Sequence, residues 1–221
     1  MPRHKRGFDA AVARRALVKA DPAFRPWVST IGPIDYASGW GRPFDIADAL
    51  ARAILYQQLS GKAAATIVGR VEQAMREPRF HHRNLERLSD AQLRACGVSG
   101  NKTLALRDLA RRDKAGEIPD VRSLQYLDNE AIIAALVPTR GIGRWTVEMM
   151  LMFRLGRPDI LPVDDLGVRQ GVMLLDGLPE MPHPKVLALR GEAWAPYRTL
   201  ASFYLWRIAD FRKEAVKRSQ D

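Results

Sequence analysis

Apolar and small residues return every three or four positions along most of this chain, the spacing that gathers them on one face of an α-helix. The run from Phe8 to Lys19 carries that pattern, and Asp21-Pro22 after it suits a cap with proline in the first turn of a further helix. Residues 31–43 break the pattern with Gly32-Pro33, Ser38-Gly39 and Gly41, so they read as a connector. Asp45 then caps a helix whose Ile46, Ala49, Leu50, Ala53 and Ile54 form a single apolar stripe. Ser60-Gly61 interrupts it, and residues from Lys62 to Met75 resume with Ile67, Val71 and Met75. Ser89 and Ser99 open further helical turns, the second reaching about Ala115 before Pro119. Asp128 opens a helix carrying Ile132, Ile133 and Leu136. Later stretches predict helices over 166–175 and 196–216, with a turn at 182–184. Period-two alternation is missing except within residues 25–45, which admit a little strand pairing. The expectation is an all-α fold, one domain over residues 1–221 built from two helical lobes whose facing surfaces form a cleft. Residues 1–45 with the C-terminal helices would make one lobe, and about 46–165 the other.

One break in the pattern differs from the rest. Between the Asp128 helix and a second helical run from Arg144 to Leu155 stands Pro138-Thr139-Arg140-Gly141-Ile142-Gly143, and a carboxylate pair, Asp164-Asp165, follows behind Pro162. Gly141 and Gly143 supply the backbone freedom of a tight hairpin and let another surface approach closely. The amides of Gly141, Gly143 and Arg144 precede a helix, where free N–H groups and the helix dipole favour an anion. Arg140 and Arg144 add charge on both sides. The same residues also suit an ordinary helix–helix turn with a glycine cap. A dinucleotide fingerprint fails, because no third glycine follows Gly143 and no strand precedes the hairpin. Gly97 to Thr103 has the wrong glycine-to-lysine spacing for a phosphate loop.

Charge sharpens the phosphate reading. The 221 residues hold 35 Lys and Arg against 25 Asp and Glu, a net +10 that favours polyanionic partners. The single cysteine, Cys96, excludes structural disulfides, a cysteine-ligated iron–sulfur cluster and a cysteine zinc site. The histidines His4, His81, His82 and His183 lack ligand spacing, and the neighbours His81 and His82 would diverge on a helix. The basic start has no apolar signal core behind it, and no run is long enough to span a membrane, so a cytoplasmic protein is expected.

The stretch Leu136 to Thr146, followed by Leu161-Pro162-Val163-Asp164-Asp165-Leu166, resembles the helix-hairpin-helix motif and trailing Asp of the base-excision DNA glycosylase superfamily. Within it the chain most resembles the alkylated-base branch, DNA-3-methyladenine glycosylase II. Ala53 to Ser60 is similar to that branch's early helix and turn, and Trp194 to Arg207 to its final helix; the likeness spans roughly residues 8–212. It implies a monomer acting on double-stranded DNA with damaged bases, without membrane or cofactor, and nucleoid-associated if bacterial. No metal is required, although a backbone-bound cation at the hairpin would suit the family.

The resemblance implies a role for each residue. Asp165 maps onto the catalytic carboxylate. A fixed anion about 4 Å from the positive charge that builds on the sugar is worth about 4 kcal/mol at a surface-like dielectric, or about three powers of ten in rate. Asp164 reads as the cap of the helix beginning near Leu166, although on residue type alone Asp165 suits a helix-start acid equally well. Bifunctional relatives form a Schiff base with a lysine where this chain has Trp145, so base release without strand cutting is expected. Trp145, Trp194 and Tyr56 would stack on a flipped, cationic purine. Phe153, Phe203, Tyr204 and Trp206 suit a core. The gap left by the base would take Gln58 or Leu59; one branch has leucine where this chain has Gln58. Arg140, Gly141, Gly143, Arg144 and Thr146 would hold phosphate. Three rival readings remain at this point: a non-catalytic DNA-binding module, a glycosylase for another damaged base, and a helical interaction protein.

Overall fold

The structure, a computed structural model, describes residues 3–34 and 39–218, with side chains through Arg212. The described residues contain helices and turns and no strand. The helices are α1 (Ala10–Ala20), α2 (Phe24–Ile31), α3 (Ile46–Tyr56), α4 (Gly61–Met75), α5 (His82–Leu85), α6 (Asp90–Ala95) and α7 (Gly100–Lys114). They continue with α8 (Val121–Leu124), α9 (Asn129–Leu136), α10 (Arg144–Phe153), α11 (Leu166–Leu175), α12 (Pro184–Arg190) and α13 (Arg198–Arg218).

Local chemistry sets most of the boundaries. Side chains of Asp45, Ser60, Ser99 and Asp128 accept from the third residue's amide in α3, α4, α7 and α9, and Ser89 with Gln92 forms a full capping box on α6. Asp9 caps α1, so that helix begins two residues later than Phe8. The strand pairing entertained for residues 25–45 is replaced by helix over Phe24–Ile31, because Asp21 accepts from the amide of Ala23 and turns the chain into α2. Residues 35–38 of the connector lie outside the described residues.

His81 and His82 depart from the reading of divergent neighbours. His81 stands before α5 in an extended conformation, so both rings gather with Asp113, their potential ligand atoms within 4.8 Å of one another. Asp113 accepts from the His82 amide at 2.9 Å and bonds its ring Nδ1 at 2.7 Å, tying α5 to α7.

The chain divides into two compact units, each gathered from separate stretches. The first is residues 1–4 and 43–150; the second is 5–42 and 151–221. In the first, α3 packs on α4 and α7, and α5 and α6 pack on α7. Its core holds Leu50, Ile54, Leu55, Val71, Leu106, Leu109 and Leu136. In the second, α13 packs along α11 and meets α1 and α2, around Leu17, Phe24, Val172, Leu187, Trp194, Phe203 and Tyr204.

Candidate active site

In the first unit the hairpin forms between α9 and α10 as its residues predict. Ile142 and Thr139 are buried, and the Ile142 amide bonds the Thr139 carbonyl at 3.0 Å, closing the turn. Gly141 takes φ +79, and a Cβ there would sit 3.2 Å from the Ala105 Cβ, so both conformation and space call for glycine. Gly143 differs. Its φ is not positive and nothing lies within 4 Å of a Cβ built on it. The amides of Thr146 and Val147 return to the Gly143 carbonyl, so those of Arg144 and Trp145 precede the first intrahelical bonds.

The two arginines of the hairpin part company. Arg140 has an exposed side chain, and its backbone amide donates to Asp108 at 2.9 Å. Arg144, expected beside a phosphate, instead grips carboxylates: its guanidinium bonds both oxygens of Glu130 and reaches Glu148 at 3.0 Å. Hydrogen bonding to Glu130 holds its pKa above the usual arginine value. The pair with Glu130 links α10 to α9, and the pair with Glu148 lies one turn along α10. Thr146 is half-buried in the first turn.

The turn after α3 lies in the same unit. Tyr56 ends that helix 43% exposed, Gln58 is exposed in the left-handed region at φ 57, and Leu59 is 39% exposed. Two bonds hold the turn. Gln57 Nε2 donates to the Gly141 carbonyl at 2.8 Å, linking the turn directly to the hairpin. Lys102 Nζ, from α7, donates to the carbonyls of Leu55 and Gln57, both at 2.8 Å, and burial lowers its pKa. No sequence pattern pointed to Lys102. Trp145 on α10 is 48% exposed, an unusual state for so large an apolar ring.

The second unit holds the carboxylate. Asp165, not Asp164, caps α11: its Oδ1 accepts from the Val168 amide at 2.9 Å. The same oxygen accepts from Trp206 Nε1 at 2.7 Å. Trp206, expected in the core, is half-buried, and its ring stacks on Phe153 at 5.8 Å and 15°. A Cβ at residue 167 would lie 2.7 Å from Trp206 Cδ1 and 3.2 Å from Asp165 Oδ1, so Gly167 makes room for the indole.

The loop before Asp165 is stapled to α13. Arg198 bonds Asp159 through two nitrogens at 2.6 and 2.7 Å, and Thr199 Oγ1 donates to the Arg157 carbonyl at 2.6 Å while accepting from the Ile160 amide at 3.0 Å. A side chain at the end of such a loop has little freedom left.

Trp194 corrects its expected place in a base pocket. Its ring is 1% exposed, meets Phe24 edge-on at 5.6 Å, and donates from Nε1 to Asp21 at 2.8 Å. It has no open face for a base, because the second unit's core surrounds it.

A hairpin of this build between two helices, in an all-helical chain with a fixed aspartate soon after it, defines a class. Residues 51–196 match the HhH-GPD superfamily base excision DNA repair protein model, and the chain belongs to that family. It is 39% identical over 168 residues to DNA-3-methyladenine glycosylase 1 of Schizosaccharomyces pombe, covering 74% of either chain. The solved structure of S. pombe 3-methyladenine DNA glycosylase in complex with abasic DNA matches with a TM-score of 0.73 and 34% identity, over 88% of this chain and 95% of that one. DNA-3-methyladenine glycosidase from Bacillus halodurans matches with a TM-score of 0.82 and 35% identity, over 91% of each chain.

Proposed function

We propose that this protein is a monofunctional DNA glycosylase, of the DNA-3-methyladenine glycosylase II kind, that removes alkylated purines from duplex DNA in base-excision repair. The observation that carries the reading is the Asp165 carboxylate, fixed by the Val168 amide and the Trp206 indole at the end of a stapled loop. The relatives named above support the substrate class.

A 3-methyladenine or 7-methylguanine base carries a fixed positive charge. As the C1′–N bond breaks, its electron pair neutralises that charge, so the base leaves without a general acid. Positive charge moves to the sugar, where the Asp165 anion stabilises it. Water then bonds to C1′ and gives up its proton, with the same carboxylate orienting it or taking the proton. Trp145 and Tyr56, both large and half-exposed, supply faces on which a cationic purine stacks. Gln58 or Leu59 fills the space the base vacates. The hairpin amides and Arg140 hold phosphate. Indole forms no imine, so Trp145 leaves no Schiff-base route at its position. The chemistry needs no cofactor and one copy of the chain, and the protein works wherever the cell keeps its DNA.

Asp165 is also a helix cap, which is all that a non-catalytic DNA-binding module would ask of it. Asn caps as well as Asp, so Asp165→Asn removes charge while keeping the cap. With methylated duplex DNA, the wild type is expected to release methylated purines and Asp165→Asn to be slower by about three powers of ten. Equal release by the variant would sink the mechanism, and no release by the wild type would favour the binding module. Borohydride is expected to trap no covalent adduct; an adduct would overturn the monofunctional reading.

A further inference from the structure

In the second unit, Arg14, Arg15, Val18 and Lys19 of α1, with Pro22, Arg25 and Val28 from the turn and α2, line an open groove of about 450 Å³. Its lining holds four cations and no acid. Several arginines elsewhere are matched: Arg52 by Asp48 and Glu72, Arg112 by Asp108 and Glu117, Arg198 by Asp159. Two acids flank α1 in the chain, and the charge of Arg15 acts on the first, Asp9. Asp9 accepts from the amides of Ala11 and Val12, and Asp21 is held by Trp194 and Arg190.

Such a cluster opposes the fold that carries it. Arg15 and Lys19 lie one turn apart on α1, the spacing at which like charges repel. Burial raises the pKa of the Tyr204 hydroxyl of α13 and the charge of Arg14 works against it, so this end of the cluster lies close to the core. The chain therefore maintains a concentrated positive field, and a field of that sign over a groove gathers anions. The cations are long and mostly exposed, and Val18, Pro22 and Val28 add apolar surface to the same lining. Flexible cations beside apolar surface suit a run of backbone phosphates better than one small anion, which calls for fixed, buried donors.

We propose that the α1–α2 groove is a second backbone-phosphate contact for duplex DNA, carried by the second unit as the hairpin is carried by the first. The inference rests on the reading of this protein as a DNA glycosylase. It goes beyond the family match, since every residue of the groove precedes residues 51–196.

The test is the salt dependence of binding to a long undamaged duplex. Each phosphate contact contributes about 0.9 to the slope of log K against log salt, so Arg15→Gln/Lys19→Gln/Arg25→Gln is expected to lower the slope by about 2 to 3. Lys19→Gln alone should lower it by about 0.9, which keeps the test available should the triple variant fail to fold. Single-turnover base release at saturating protein is expected to match the wild type. An unchanged slope in a wild-type protein that releases methylated bases overturns this inference and leaves the glycosylase reading standing. A wild type that neither binds duplex nor releases bases overturns both. Groove-dependent binding of inorganic phosphate with an unaltered DNA slope identifies a small-anion site instead and also overturns the proposal.

Discussion

Gly167 follows Asp165 by two positions, and its missing side chain admits the Trp206 indole to the carboxylate. Gly167→Ala would push the indole off Asp165 Oδ1 or turn the cap, and Trp206→Phe would keep a ring while deleting the donor. A hydrogen bond to a charged group contributes about 1.5–3 kcal/mol, so each change is expected to slow base release by roughly ten- to a hundredfold. Single-turnover rates, compared with melting temperature, check it: a fall in stability with no fall in rate would reduce Trp206 to packing. Asp164 and Asp165 are indistinguishable as residue types at a helix start, so the sequence offered no local reason to assign the cap to the second. Trp206 was hidden for a related reason. Its helical neighbours are apolar, and only the fold brings a carboxylate to its nitrogen.

At the scale of elements, the starts of α3, α6, α7 and α9 were legible because each cap works within three or four residues, whereas Ser60, read as an interruption, is the cap of α4. The hairpin was legible for the same reason. The helices α5, α8 and α12 were not. Runs of four to seven residues hold too few positions to display a helical period. The contact that joins elements at the candidate site, Lys102 to the turn after α3, spans more than forty residues and has no local signature. It bonds two carbonyls at the end of α3, beside Gln58 in its strained left-handed conformation. Lys102→Met would leave both carbonyls without that donor and free the turn. The expected outcome is roughly tenfold weaker binding to duplex with an intact modified base, at a cost of about 1.5 kcal/mol. Binding to DNA with an abasic site, where no base must be extruded, should change less. Equal losses on the two substrates would mean that Lys102 serves only stability.

For the molecule as a whole, each unit is assembled from stretches far apart in the chain. The second unit depends on a part-buried trio: Asp21 bonds the Trp194 indole and the Arg190 guanidinium, which also bonds Asp176. Burial alone would raise the Asp21 pKa, but the hydrogen bonds from Trp194 and Arg190 outweigh it and hold the carboxyl below its usual value. A carboxyl lowered by folding stabilises the native state above its unfolded pKa, about 3.9, and that stability is lost as pH falls through the folded value. Asp21→Asn is expected to cost about 3 kcal/mol at neutral pH, a fall of roughly 6–12 °C in melting temperature. The gap should narrow below about pH 4. Melting curves across pH would check this; a gap constant down to the most acid stable condition would show that Asp21 acts through shape alone.

The sequence by itself determined the helical character, most helix starts, the hairpin, the basic charge and the family that the comparisons identify, because each rests on residues adjacent or one turn apart. Tertiary structure decided which aromatics open to solvent and which arginines pair with acids. It buried Trp194 against Phe24 and left Trp145 half-exposed; it matched Arg144 to two glutamates and lined the α1–α2 groove with four cations and no acid. The physical reason is that burial and charge pairing are set by neighbours brought in from distant parts of the chain, and no periodicity along the sequence encodes which neighbours those are.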